Sequence, residues 1–81
     1  MIKHDLISRI TINPLVCHGK PVIRGLRYPV ESILEYLTAG DSPDDIITEF
    51  PDLEKEDIYA CLAYATAALK AKSILISNYA A

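Results

Sequence analysis

The segment from Cys17 to Val30, CHGKPVIRGLRYPV, constrains the fold of this chain more than any other. Gly19 and Gly25 suit backbone positions with positive φ, while Pro21 and Pro29 fix φ and remove amide donors. A short extended piece lies between these breaks, and a helical pattern starts directly after Pro29. The segment therefore predicts a turn, a short strand and a second turn in front of a helix.

The residues before this segment predict another strand. Leu6 to Ile12 is rich in β-branched residues and partly alternates between apolar and polar positions. Asn13-Pro14 ends it with a turn. We expect the extended piece, residues 21–24, to pair back with this strand, or to pair with the same segment of another subunit.

Three helices are predicted after Pro29. Apolar residues at i, i+3, i+4 and i+7 predict the first at about residues 30–39, closed by Gly40. Ser42-Pro43-Asp44-Asp45 has the N-cap, the first-turn proline and the acids of a second helix, which Phe50-Pro51 ends. The third begins near Leu53 or Glu54. Its apolar stripe consists of Ile58, Cys61, Leu62, Ala65 and Leu69.

These elements predict a single domain across residues 1–81. It comprises a basic β/turn segment at 1–28, three helices at 29–72 and a tail at 73–81. The tail contains the apolar, β-branched run SILISNY. That run is compatible with a last helical turn, with a strand that completes a neighbour's sheet, or with a segment that becomes ordered only on binding.

Charge is divided along the chain. Residues 1–30 have a net charge of +4 and residues 31–81 a net charge of −7, which together give −3. A constrained cationic segment can bind phosphates, carboxylates or an acidic partner, although a solvated strand edge is the plainer interpretation. The third helix starts with acids that would repel DNA, so the basic segment is the predicted DNA contact. The DNA-binding candidates are Lys20, Arg24 and Arg27, assisted by Arg9.

Size and composition indicate association with another chain. A chain of 81 residues buries only about 60 to 65% of the surface that its unfolded form exposes, yet 51% of its residues are hydrophobic. We therefore expect a homodimer or a constitutive complex. Alanines on the third helix let a neighbour approach closely, or simply favour a helix. The predicted anchors for a partner protein are Tyr36, Tyr59 and Tyr64.

Enzymatic chemistry is not predicted. Cys17 and His18 are adjacent, so on an extended segment they point to opposite faces, and no histidines and cysteines have the paired spacing of a metal site. We expect no catalytic residue, no metal and no cofactor. The chain has no signal-peptide pattern and no apolar run approaching the roughly 18 to 20 residues of a membrane span. We expect a cytoplasmic protein that does not associate with membranes.

Three ordered blocks, GKPVIRGLR, AGDSPDDIITEFPDL and EKEDIYACLAYA, resemble a small bacterial family, domain of unknown function 433. The resemblance covers about residues 9–66. His18 stands where the family has glycine, and Leu26 and Glu54 stand where it has threonine. The resemblance implies a mainly α fold, a three-helix homeodomain-like or winged-helix-like bundle with a short N-terminal β element.

The resemblance also implies a function, that of a VapB-like antitoxin in a type II toxin–antitoxin pair. Such a protein neutralises a PIN-like nuclease toxin and binds operator DNA, here through the basic segment. The nuclease would be blocked by steric cover, or by Arg24 or Arg27 inserted into its acidic, metal-binding site. A stand-alone helix-turn-helix DNA-binding regulator and a non-enzymatic adaptor are the alternatives.

Overall fold

The computed structural model describes the backbone from His4 to Ala80 and the side chains of residues 6–72. Its elements, in chain order, are a 3-10 helix (His4–Arg9), β1 (Ile10–Thr11), a short helical turn (Cys17–Gly19), β2 (Val22–Ile23), α1 (Val30–Thr38), α2 (Pro43–Glu49) and α3 (Lys55–Ala80). Within this range the fold is mainly helical: a two-stranded antiparallel sheet is followed along the chain by three α-helices. The predicted fold class is confirmed.

The two strands pair with each other inside one chain. Ile10 lies opposite Ile23 and Thr11 opposite Val22. The extended piece therefore pairs back with the preceding strand, the first of the two predicted arrangements. The strand predicted from Leu6 is wrong up to Arg9, because this stretch is a 3-10 helix that packs against α3. β-branched residues favour extended backbone only weakly, and here the packing against α3 overrides that preference.

α1 ends as its sequence predicts. Gly40 has a φ of +107°, and its amide donates to the carbonyl of Leu37 at 3.0 Å. The amide of Asp41 reaches further back, to the carbonyl of Tyr36 at 3.1 Å. This pair of bonds is the Schellman motif, in which a left-handed glycine satisfies the last carbonyls of a helix.

α2 begins with the predicted capping box. The Ser42 hydroxyl accepts from the Asp45 amide at 3.1 Å, and the Asp45 carboxylate accepts from the Ser42 amide at 2.9 Å. Pro43 occupies the first turn, where no amide donor is needed. The bonds from Ser42 lower the pKa of Asp45, which keeps this cap charged.

α3 is longer than predicted and is covered by the rest of the chain only in its first turns. Its 26 residues span about 39 Å at 1.5 Å per residue, against about 13 Å for α1. Every side chain from Thr66 to Lys72 is exposed. The apolar stripe predicted for the third helix is buried at Ile58 and Cys61. It is not buried at Leu62 and Leu69, which are 42% and 63% exposed.

The run SILISNY, residues 73–79, is helical and forms part of α3. Its side chains lie outside the described residues, as does Ala81.

The core joins the sheet to all three helices. Each element contributes one or two side chains that are almost completely buried, and burial of such a side chain contributes about 1.5 to 3 kcal/mol. The members of this cluster are Ile23, Val30, Ile33, Ile46, Leu53, Ile58 and Cys61. Because β2 sits inside this cluster, the turn that follows it is fixed against the helices.

His18 adopts a left-handed backbone conformation. It has φ +58° and lies between Cys17 at +49° and Gly19 at +81°. A non-glycine residue in this left-handed region costs about 1 kcal/mol. The side chain of Leu26 packs against the core.

Replacing His18 with glycine is expected to raise the free energy of unfolding by about 0.5 to 1 kcal/mol, because glycine adopts positive φ without strain. Urea denaturation measures the change. The matched control is His18→Ala, which removes the same imidazole but keeps the strain, and which should give no gain. A glycine variant no more stable than the alanine variant would contradict the left-handed conformation.

Candidate interaction site

Asp57 is a completely buried carboxylate that lies at the centre of a network of charges. Arg24 binds it with two nitrogens, Nε to Oδ1 at 3.0 Å and Nη2 to Oδ2 at 2.8 Å. Arg9 donates from Nη1 to Oδ1 at 3.0 Å, and the Glu54 backbone amide donates to Oδ2 at 2.8 Å. All four bonds are charge-assisted, and the fork of Arg24 matches the carboxylate geometry.

Three separate parts of the chain bring these groups together. Arg9 ends the 3-10 helix, Arg24 directly follows β2, and Asp57 is in the first turn of α3. Arg24 and Arg9 are adjacent because the Arg24 amide donates to the Arg9 carbonyl at 2.7 Å, which extends the sheet by one bond. Further contacts complete the network: Arg9 binds Glu54 Oε1 at 2.8 Å, and Arg24 binds the Asp52 carbonyl at 3.0 Å. We call these residues the Asp57 cluster.

Asp57 stays ionised in this environment. Burial alone would raise the pKa of its carboxyl group, but the hydrogen bonds from Arg24, the Glu54 amide and Arg9 outweigh burial, so the pKa lies below its ordinary value. The hydrogen bonds to Glu54 and Asp57 raise the pKa of Arg9, and the hydrogen bond to Asp57 raises the pKa of Arg24. Near neutral pH the cluster is therefore a charged, internally compensated unit.

The cluster engages two of the four residues predicted to bind DNA. Arg9 and Arg24 retain side-chain exposures of 29% and 37%, but their charges are matched by Asp57 and Glu54. Lys20 pairs with Glu31 at 2.8 Å, which raises the pKa of Lys20. Phosphate binding by these three residues would compete with existing partners. DNA binding by the basic segment stays a prediction.

Arg27 differs from the other three. It is exposed, and it makes no ion pair or hydrogen bond with any residue that the structure describes. It lies in the loop of residues 24–27, which is closed at its base by the Ile23 amide donating to the Tyr28 carbonyl at 3.1 Å. A guanidinium group at the end of a fixed loop can enter an acidic site on a partner with little loss of conformational entropy.

The backbone of this loop is held by further bonds. Arg24 and Gly25 have φ of +46° and +70°, and the Gly25 amide donates to Thr11 Oγ1 at 2.9 Å. The Leu26 amide donates to the Ile23 carbonyl at 2.7 Å. The Asp57 cluster anchors the start of the loop, and the buried part of Leu26 anchors its middle. Arg27 is thus the last residue of a loop that is held in place at its start and its middle.

The three tyrosines predicted to bind a partner are not gathered on one surface. Tyr36 packs against Phe50, with ring centroids 5.5 Å apart, in a depression that also contains acids of α2. Tyr64 lines a different, apolar groove between α1 and α3, and Tyr59 lines neither depression. Tyr36 and Tyr59 are 37% and 44% exposed. The assignment of all three to one partner surface stays a prediction.

The cysteines and histidines give no sign of a reactive centre in the described part of the chain. Cys61 is buried in the core, and burial together with the charge of Asp57 raises the pKa of its thiol to about 12. Cys17 is half-buried and His18 is exposed. Among the described residues no group of histidine, cysteine and acid side chains is arranged to hold a metal ion. Over the same residues, no helix has both the length and the apolar composition to cross a membrane.

The sequence alone gave few signs of the Asp57 cluster. Asp57 has the position of an ordinary acid in the first turn of a helix, and Glu54 and Glu56 beside it have the same pattern. One signal was present: Asp57 is one residue from the buried Ile58 and four from the buried Cys61, so it shares their helix face. A charge on the apolar face of a helix requires a partner.

The fold and the site together define a class: a small helical domain whose N-terminal hairpin is joined to its last helix by a buried arginine–carboxylate cluster. The family model for protein of unknown function (DUF433) matches residues 10–65, more than half of the chain. This chain belongs to the DUF433 family. The match runs from β1 into α3 and so includes Arg24, Asp57 and the loop between β2 and α1.

The chain is also similar to two individual proteins. A crystal structure of a DUF433 member protein from Anabaena variabilis superposes with a TM-score of 0.72 at 28% identity, over 91% of this chain and 73% of that one. The uncharacterized protein y4eO from Sinorhizobium fredii is 34% identical over 58 residues, 72% of this chain. This chain spans only 26% of the length of that protein. The likeness therefore concerns one part of a much longer chain.

Replacing Asp57 with asparagine is expected to lower the free energy of unfolding by about 3 kcal/mol, because it leaves two arginines facing a neutral group. Chemical denaturation measures the loss. Glu56→Gln is the matched control, since Glu56 is an exposed acid in the same helical turn, and it should change stability by less than about 0.5 kcal/mol. Equal effects of the two substitutions would contradict a structural role for the cluster.

The contribution of Asp57 is also expected to depend on pH. The folded-state pKa lies below the value of about 3.9 in the unfolded chain. Its stabilisation is therefore complete above about pH 5 and is lost as pH falls through the folded-state pKa. The stability difference between the wild type and Asp57→Asn, measured by urea denaturation across pH, should be constant near neutrality and shrink in acid. A difference that grows in acid would contradict this account.

Proposed function

We propose that this chain is a non-enzymatic antitoxin that inhibits a PIN-like nuclease by placing Arg27 in the acidic, metal-binding site of the nuclease. The observation that carries the proposal is the state of the four candidate cations. Arg9, Arg24 and Lys20 have acidic partners, and Arg27 has none among the described residues. Of the two insertion candidates, Arg24 and Arg27, the geometry favours Arg27.

Electrostatics support this choice of partner. Clustered carboxylates that bind a divalent metal repel one another when the metal is absent, and a guanidinium group can compensate them with paired hydrogen bonds. Arginine is better suited than lysine to this task because its donors form a planar fork. The fixed loop presents that fork at a defined position, so binding requires little reorganisation.

The chain's own acids oppose a general attraction to nucleic acid. The net charge of −3 gives little non-specific affinity for DNA, and three of the four basic candidates are already compensated. A protein partner with a concentrated negative site can use one free arginine, whereas a DNA backbone requires several cations. For this reason we place the nuclease ahead of the operator as the target of the basic segment.

The proposal predicts that Arg27→Ala weakens inhibition of the nuclease by at least about 30-fold, the loss expected when one member of a buried charge pair is removed. The partner is first isolated by its stoichiometric co-purification with the tagged chain from native cells, with nucleic acid digested. Inhibition constants are then measured against the nuclease activity of that partner. Arg27→Lys should lie between the wild type and the alanine variant, because it keeps the charge but not the fork.

Lys20→Ala is the matched control, because it removes a basic side chain that is already paired with Glu31. It should leave inhibition unchanged. If the co-purifying partner has no nuclease activity, or if Arg27→Ala inhibits as well as the wild type, the proposal fails. Sequence-specific DNA binding by the chain alone, lost in Arg27→Ala, would instead support the stand-alone regulator.

A further inference from the structure

A depression of about 320 Å³ lies where α1 turns into α2. Two aromatic residues line it, Tyr36 and Phe50, whose ring centroids are 5.5 Å apart with their planes inclined by 33°. Three acids, Asp41, Asp45 and Glu49, line it as well. The volume is at the lower end of the range of about 300 to 1,000 Å³ that ligand pockets have.

The sequence brings these groups together through two local features. The Schellman turn at Gly40 ends α1 shortly after Tyr36 and leads through Asp41 directly into α2. Asp45 and Glu49 are four residues apart in α2, so they lie on the same face of that helix. The end of α1 and one face of α2 therefore border the same depression.

The acids of the depression are not compensated by a cation. No basic residue lines it, and the side chains of Asp41 and Glu49 make no hydrogen bond or ion pair within the described part of the chain. Asp45 accepts a backbone amide in the helix cap, but none of the described cations pairs with it. Lys55 pairs instead with Asp44, which does not line the depression. The depression therefore suits a positively charged group.

The aromatic rings narrow the choice of cation. Among the described residues no group of acids is arranged to hold a metal ion, which leaves an organic cation. The Phe50 ring is held from a second side by Tyr28, with centroids 5.5 Å apart. A planar guanidinium group stacks on the face of such a ring and donates in a fork to carboxylates, whereas an ammonium group lacks the planar fork. Arginine therefore fits this lining best.

We propose that the depression is the binding site for an arginine side chain of the protein partner. The guanidinium group lies against the two aromatic rings and donates to the carboxylates of Asp41 and Glu49. Tyr28, which contacts Phe50, directly follows Arg27, so the depression lies close to the loop assigned to the nuclease. A partner that receives Arg27 in an acidic site thus meets a second, complementary site beside that loop. Only this identity of the partner rests on the proposed function.

The site is tested on the full chain alone, with N-acetyl-arginine amide as the probe and NMR spectra of the labelled protein as the readout. The probe should cause saturable shifts of the amides around Tyr36 and Glu49, with a dissociation constant below about 10 mM. N-acetyl-citrulline amide is the matched control, because it has nearly the same shape without the charge, and it should bind at least about 10-fold more weakly. Absence of saturation with the arginine probe, or equal binding of the two probes, would overturn the proposal.

Matched substitutions show where the probe binds. Glu49→Gln should raise the dissociation constant of the arginine probe at least about 5-fold. Glu35→Gln is the control, because Glu35 is an exposed acid of α1 that does not line the depression, and it should stay within about two-fold of the wild type. Tyr36→Leu, which keeps an apolar side chain but removes the ring, should weaken binding at least about two-fold, with the fold verified by circular dichroism. Equal effects of the two glutamine variants would show that the probe binds elsewhere and would overturn the site.

Affinity for the protein that co-purifies with the chain separates this inference from the proposed function. Glu49→Gln should lower that affinity at least about 10-fold, whether or not the partner is a nuclease. If the partner lacks nuclease activity and Glu49→Gln weakens its binding, the proposed function fails and the arginine site stands. If Arg27→Ala weakens binding of the partner and Glu49→Gln does not, the arginine site is overturned and the proposed function stands.

Discussion

The Asp57 carboxylate lies out of contact with water in the first turn of α3, and a charge in that position costs several kcal/mol unless other groups compensate it. Compensation comes from Arg9 and Arg24, which are 48 and 33 residues away in sequence. Both arginines therefore have to be brought to the helix before the carboxylate is stable there. This requirement ties the 3-10 helix, the hairpin and α3 into one unit.

The same interaction decides which charges remain available to a partner. The basic N-terminal segment has the charge that binds nucleic acid, but inside the fold three of its cations pair with acids of the helical half. Of the four basic candidates, Arg27 alone has no acidic partner among the described residues, and it lies on a loop that the cluster and the core fix in place. The outer part of α3 is exposed as far as its side chains are described. The structure thus separates two surfaces, one polar and one apolar, that the sequence presents as a single basic segment and a single helix stripe.

Local signals predicted most of the helical part of the fold. The Schellman glycine of α1 and the capping box of α2 act over a few residues, so they are visible in the sequence and appear in the structure as expected. The strand at Leu6 was predicted on β-branched composition, and it is wrong because packing against α3 decides the conformation there. Leu62 and Leu69 were assigned to the core because periodicity reports the face of a helix but not how far its neighbours extend.

The sequence by itself determined where the helices begin, where α1 and α2 end, the turn geometry around Gly25 and Gly40, and membership in a family whose three motifs occur in order, because these depend on neighbours in the chain. Only the tertiary structure decided which charges are paired and which apolar residues are covered. Pairing and burial join residues tens of positions apart. Asp57, which by sequence is one more acid at a helix start, becomes the residue that holds the N-terminal segment only when Arg9 and Arg24 meet it in space.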